Sequence, residues 1–109
     1  MITYRKGWVR KMNDKLKGKS FEFLFAAILA LETTEECQNF FEDLCTVPEL
    51  KAMAQRLQVA KMLSDHCVYN EIVAATGAST ATISRVNRSL SYGSDGYSAI
   101  FERLEGQDK

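Results

Sequence analysis

Residues 69–88 read Tyr-Asn-Glu-Ile-Val-Ala-Ala-Thr-Gly-Ala-Ser-Thr-Ala-Thr-Ile-Ser-Arg-Val-Asn-Arg, and this stretch decides the fold. Gly77 stands at the ninth of its twenty positions. Two helices that meet through a tight turn need a residue there that accepts a positive φ, which glycine does without steric cost. Ile72, Ala78, Ile83 and Val86 fall at the fourth, tenth, fifteenth and eighteenth positions, where two such helices pack together. Ser79 is placed to cap the second helix. The spacing predicts a helix-turn-helix over 69–88, although Thr76, at the eighth position, is more polar than the pattern expects.

The outward face of the second helix carries Thr80, Ser84, Arg85, Asn87 and Arg88 and no carboxylate. Hydroxyl, amide and guanidinium groups are what a phosphate-lined groove accepts. The unit's single acid, Glu71, lies on the first helix. A helical hairpin with a polar solvent face would carry the same pattern. The absence of acid favours a DNA-reading one.

Working outward, helix signals recur and strand signals do not. No run alternates with period two, and no hairpin dipeptide lies between β-branched runs. Ser20 precedes an apolar run over 21–32. Thr33 with Glu36, and Thr46 with Glu49, make capping boxes, and Pro48 falls in the first turn of a helix expected over 47–64. On that helix Leu50, Met53, Ala54, Leu57 and Ala60 trace an i, i+3, i+4 stripe that weakens at Lys61 and Ser64. Short helices are expected over 69–76 and 80–91, a loop over 92–96, and a last helix over 97–104. The first domain element is a basic arm or helix at 1–19. Residues 20–109 form a single helical domain.

The helix at 21–31 has almost no polar face: Phe21, Phe23, Leu24, Phe25 and Ile28 through Leu31 surround it, with Glu22 as the exception. Such a helix must be buried on all sides. A chain of 109 residues holds little protein to surround it. A central helix of a monomeric bundle remains open. The interface of a homodimer fits better, because obligate interfaces resemble a domain core cut in half.

Net charge is zero, with 14 basic and 14 acidic side chains, which on its face points away from nucleic acid. The charge is segregated, however. Residues 1–20 hold seven bases and one acid, residues 21–50 seven acids and no base, and residues 51–90 five bases and two acids. A local basic surface can face an anionic partner whatever the total.

Cys37, Cys45 and Cys67 have no metal-ligand spacing, and their odd number fits a reducing compartment. The lone histidine, His66, adjoins Cys67, but neighbouring helical residues point about 100° apart and chelate poorly. No catalytic residue, metal site or cofactor is expected, and the chain is read as no enzyme. The basic residues before the apolar run superficially resemble a leader. The run is bracketed by Glu22 and Glu32, is followed by no cleavage site, and is too short to span a bilayer. The expected location is cytoplasmic, without membrane partners.

The segment Leu44-Cys-Thr-Val-Pro-Glu-Leu-Lys-Ala-Met-Ala-Gln-Arg-Leu57, with Ala74 through Arg85 and Ser89-Leu90, resembles the Trp-repressor superfamily, and most closely its YerC/YecD branch. The resemblance is specific over about residues 42–92. It implies an all-α, intertwined homodimer with interlocking N-terminal helices. It also implies a transcription regulator, a repressor, that binds double-stranded DNA through the helix-turn-helix. Carried over residue by residue, a candidate effector pocket comprises Thr46, Arg56 (from the partner subunit), Arg85 and Ser89.

Two departures accompany the resemblance. Val86 stands where the family's tryptophan-binding member has a glycine that leaves room for the indole, so tryptophan is disfavoured as ligand. Asn70 and Val73 replace a base-reading arginine and a lysine, so the operator must differ. The DNA-contacting set is then Asn70, Ser79, Thr80, Ala81, Ser84, Arg85, Asn87 and Arg88. Thr80, Ala81 and Ser84 face bases, and Arg85 and Arg88 face phosphate. The alternative is a dimeric helical interaction protein of the same fold, without specific DNA binding or with an unknown small-molecule effector.

Overall fold

The structure, a computed structural model, describes residues 14–107. Residues 1–13 of the expected basic arm lie outside the described residues. Among the described residues there are six α-helices and no strand: α1 (Lys19–Leu29), α2 (Thr34–Leu44), α3 (Val47–Ser64), α4 (Tyr69–Thr76), α5 (Thr80–Tyr92) and α6 (Gly96–Gln107). A short 3-10 turn, Asp14–Leu16, precedes them. The chain divides into two compact units, with the boundary between Leu44 and Cys45.

In the first unit, α1 starts at Lys19 with Gly18 as its N-cap and no side-chain capping bond. Ser20, expected to cap this helix, lies inside it. The apolar character of α1 does not translate into burial: it has no buried residue, and Phe23 and Leu29 are 69% and 81% exposed. At the start of α2 the Glu36 main-chain N–H donates to Thr33 Oγ1 at 3.0 Å, as the capping box requires. The reciprocal bond reaches one residue further back, with the Glu32 N–H donating to Glu36 Oε1 at 2.9 Å.

The second unit is built on α3. Thr46 caps it, accepting from the Glu49 N–H at 3.2 Å while the Thr46 N–H donates to Glu49 Oε1 at 2.8 Å. These bonds favour the ionised carboxylate and hold Glu49 below its ordinary pKa. The fully buried residues of α3 are Val59 and Ala60, against which α4, α5 and α6 pack. The stripe expected from the sequence is displaced: Leu50 is half-buried, whereas Met53, Ala54 and Leu57 are exposed. α3 carries apolar residues on both sides, and periodicity alone does not show which side meets the rest of its own chain.

Phe101 of α6 joins the same core and stacks on Tyr97, with ring centroids 6.0 Å apart. Lys61 of α3 lies 5.6 Å from the Phe101 ring centroid and pairs with Asp65 at 3.1 Å and Glu105 at 3.3 Å. The two carboxylates raise the Lys61 pKa. Exposed pairs of this kind contribute little individually, and the apolar contact of Phe101 holds α6 in place.

α3 ends in a Schellman motif without glycine. The Cys67 N–H donates to the Met62 carbonyl and the His66 N–H to the Leu63 carbonyl, both at 3.0 Å. His66 takes the left-handed position, with φ 65°. Histidine is tolerated there more often than branched residues, but its Cβ still costs energy that glycine avoids. Replacing His66→Gly is expected to raise unfolding free energy by about 0.5–1 kcal/mol, net of glycine's greater unfolded-state entropy. Urea denaturation checks this. A midpoint that stays put or falls, at unchanged slope, rules out strain at His66.

Candidate nucleic-acid interface

The turn between α4 and α5 forms as the sequence requires. Gly77 caps α4 in the left-handed region at φ 70°, and its N–H donates to the Val73 carbonyl at 2.9 Å. All four expected packing residues are interior: Ile72 and Ile83 are 0% exposed, Val86 2% and Ala78 3%. They share one core with Val59, Ala60 and Phe101, and Leu90, Met62, Leu63 and Cys67 pack around it.

Thr76 has a structural reason to be polar. Its hydroxyl donates to the Ile72 carbonyl at 2.7 Å and accepts from the Ala78 N–H at 3.1 Å. It thereby bonds back to a carbonyl one turn earlier in α4 and satisfies one amide beyond the helix end. The Thr76 main-chain carbonyl accepts from Gln55 Nε2 on α3 at 3.1 Å. Sequence reasoning missed Gln55, because a bond between residues 21 apart leaves no periodic trace.

Both helices of the motif are capped. Glu71 Oε1 accepts from the Val68 N–H at 3.0 Å, so the one acid of the motif serves the start of α4. The Ser79 hydroxyl accepts from the Thr82 N–H and donates to Thr82 Oγ1, both at 3.1 Å.

Each proposed contact residue is exposed: Asn70 on the first turn of α4, Ser79 at the cap, and Thr80, Ala81, Ser84, Arg85, Asn87 and Arg88 on α5. With Ile83, Val86 and Leu90 turned inward, positions 84, 85, 87 and 88 must point away from the core at 3.6 residues per turn. The fold therefore brings hydroxyls, an amide and two guanidinium groups onto one open face of α5.

Residues 19–105 match the family model for the Trp repressor protein. The chain belongs to the Trp repressor family. It is 52% identical to the uncharacterized protein YerC of Bacillus subtilis (strain 168) over 92 residues, which is 84% of this chain and 88% of that relative. Among solved structures, a TrpR-like protein from Eubacterium eligens ATCC 27750 is 57% identical with a TM-score of 0.83, covering 85% of this chain and 96% of that one. A Staphylococcus aureus protein described as a candidate Trp repressor is 53% identical with a TM-score of 0.82, covering 84% of this chain and 92% of that one. The all-α architecture read from the sequence is the architecture of this Trp repressor family.

Of the family-derived effector residues, Thr46 caps α3, Arg56 and Arg85 are exposed, and Ser89 is exposed near the end of α5. The rise of a helix separates Thr46 from Arg56 by roughly 15 Å along α3, too far for one small carboxylate to bridge. Ser89 lines a shallow, open depression of about 400 Å³ with Gly93, Ser94, Gly96 and Tyr97. Val86 belongs to the core beside Ile83. No helix among the described residues is long and apolar enough to cross a membrane.

Removing the Thr76 hydroxyl leaves the Ala78 N–H without its partner at a half-buried turn. Thr76→Val keeps the shape and is expected to cost about 1–2 kcal/mol. Equilibrium denaturation measures it, and a change within about 0.3 kcal/mol would show that the hydroxyl does not organise the turn.

Proposed function

We propose that this chain is a sequence-specific DNA-binding transcription regulator, a repressor, that works in the cytoplasm as a homodimer and without catalysis. The observation that carries this reading is the acid-free, exposed face of α5, held on a motif whose four packing positions are all buried. Membership of the Trp repressor family supports it. So does the description of the Staphylococcus aureus structure as a candidate Trp repressor.

Arg85 and Arg88 are one helical turn apart and would supply charge to the phosphate backbone. Thr80, Ala81 and Ser84, nearer the N-terminal end of α5, would approach base edges, and Asn70 would extend the contact from α4. The Ser79 hydroxyl already serves the cap, and its place at the start of α5 puts it beside the backbone of an approaching duplex. The basic residues of 1–19 would add sequence-independent attraction.

Pairing of two copies is supported by α1, which is apolar yet lacks a buried residue, and by the exposed Met53 and Leu57 on α3. A two-fold pair reads two half-sites one helical turn apart, about 34 Å. The effector set of Thr46, Arg56, Arg85 and Ser89 would likewise be completed across two chains, because one α3 holds its members too far apart.

Selection of bound fragments from genomic DNA at physiological salt tests the central reading. The expected product is a palindromic site with half-sites one turn apart. Enrichment of no sequence favours the alternative, a dimeric interaction protein of the same fold. Against such a fragment, Arg88→Ala is expected to weaken binding to all sequences and to reduce the salt slope by about one unit. An unchanged slope removes Arg88 from the phosphate contacts.

Tryptophan is not the effector in this reading. Val86 is part of the packed core, and a core accommodates added volume only with strain of about 1–3 kcal/mol. Calorimetric titration with tryptophan is expected to give no binding heat, and saturable binding would reverse this assignment.

A further inference from the structure

We propose that Gln55 is a positioning residue for DNA reading: its side-chain amide holds the turn that aims α5, and so sets sequence selectivity without touching DNA. This role rests on the DNA-reading function proposed above. Gln55 is half-buried on α3, and Nε2 donates to the main-chain carbonyl of Thr76 at 3.1 Å. Thr76 is the last residue of α4, and Gly77 follows it at φ 70°. Carbonyls at a helix end lack partners within the helix. Here the partner comes from the helix on which the motif rests.

The neighbouring bonds make this one consequential. The Thr76 hydroxyl grips the Ile72 carbonyl behind the turn and the Ala78 N–H ahead of it. The hydroxyl and the main-chain carbonyl of Thr76 are thus both engaged, so a displacement of its backbone is passed directly to Ala78 and to the Ser79 cap. The bonds at the starts of the two helices, Glu71 with Val68 and Ser79 with Thr82, are local. They fix each helix but not its direction over α3.

The apolar core does not supply that direction by itself. Burial of Ile72, Ile83 and Val86 against Val59 and Ala60 is strong, but burial is non-directional. A hydrogen bond constrains both distance and angle. Tilting a helix of α5's length by about 10° about its C-terminal end moves its N-terminal end, where Thr80, Ala81 and Ser84 lie, by roughly 3 Å, the length of a hydrogen bond. Contacts to base edges fail at such a displacement. Attraction of Arg85 and Arg88 to phosphate falls off far more gently.

The consequence is a split between two affinities. A lost aim lowers affinity for the selected site and spares affinity for unrelated duplex. A merely structural loss reduces the folded fraction and lowers both by the same factor. Gln55→Met keeps the length without an amide, and Gln55→Glu keeps it without a donor at neutral pH.

The test measures dissociation constants of wild type and both variants for the selected duplex and for an unrelated one at the same salt, with circular dichroism as the check on folding. The ratio of the two constants is expected to shrink about tenfold in each variant, the order of one lost base contact, while non-specific binding stays within about twofold. A wild-type ratio retained in the variants overturns the role of Gln55 alone. Unfolding of both variants also overturns it, since Gln55 would then act on stability. A wild type that shows no preference overturns the DNA-reading function and this role with it.

Discussion

The packing of α4 and α5 onto adjacent Val59 and Ala60 of α3 is the constraint on which the second unit depends. Both residues are wholly buried, and one of them is no larger than a methyl group at Cβ. A small residue at that point lets the backbone of a crossing helix come close, and the larger Ile72, Ile83 and Val86 fill the space around it. Once these three point inward, the helical repeat dictates what points outward. The polar face of α5 is therefore a by-product of its core contacts. Shifting the register by one residue toward the N-terminus would put Arg85 in the place of Val86, turned toward α3, and bury a charge without a partner.

Much of this was legible in the sequence because the motif is short and its rules are steric. A glycine at a positive φ, four apolar positions and a serine cap are local requirements, and each leaves a mark at a fixed offset. The helix at 69–76 and the long helix at 47–64 accordingly have the extents that the sequence predicts. The start of α1 was misplaced because Ser20 satisfies the composition rule for a cap, while the backbone turns at Gly18, φ 128°.

Other features leave no such mark. On α3 the apolar residues are distributed around the helix, so the stripe through Met53 and Leu57 is as regular as the face that is buried. Which of them meets this chain's own core follows from the docking of α4 to α6, a tertiary outcome. His66 at φ 65° is a second case: glycine signals such a helix end, and histidine does not. Gln55 is a third. Its significance lies wholly in the carbonyl it reaches, and one glutamine among helix formers looks like any other. The contact positions on α5 could be read as a face, but the effector residues Thr46, Arg56, Arg85 and Ser89 were available only through family resemblance, since no local rule groups them.

The exposed apolar surface sets the energetic terms on which two copies would join. Fully burying a leucine, phenylalanine or methionine is worth about 1.5–3 kcal/mol. Phe23, Leu29, Met53 and Leu57 are all exposed, so covering these four would gain on the order of 10 kcal/mol per chain at most. Losing translational and rotational freedom costs roughly 4–15 kcal/mol. Neither α1 nor the open side of α3 alone meets that cost with a useful margin. Covering the two surfaces, each counted in both copies, does.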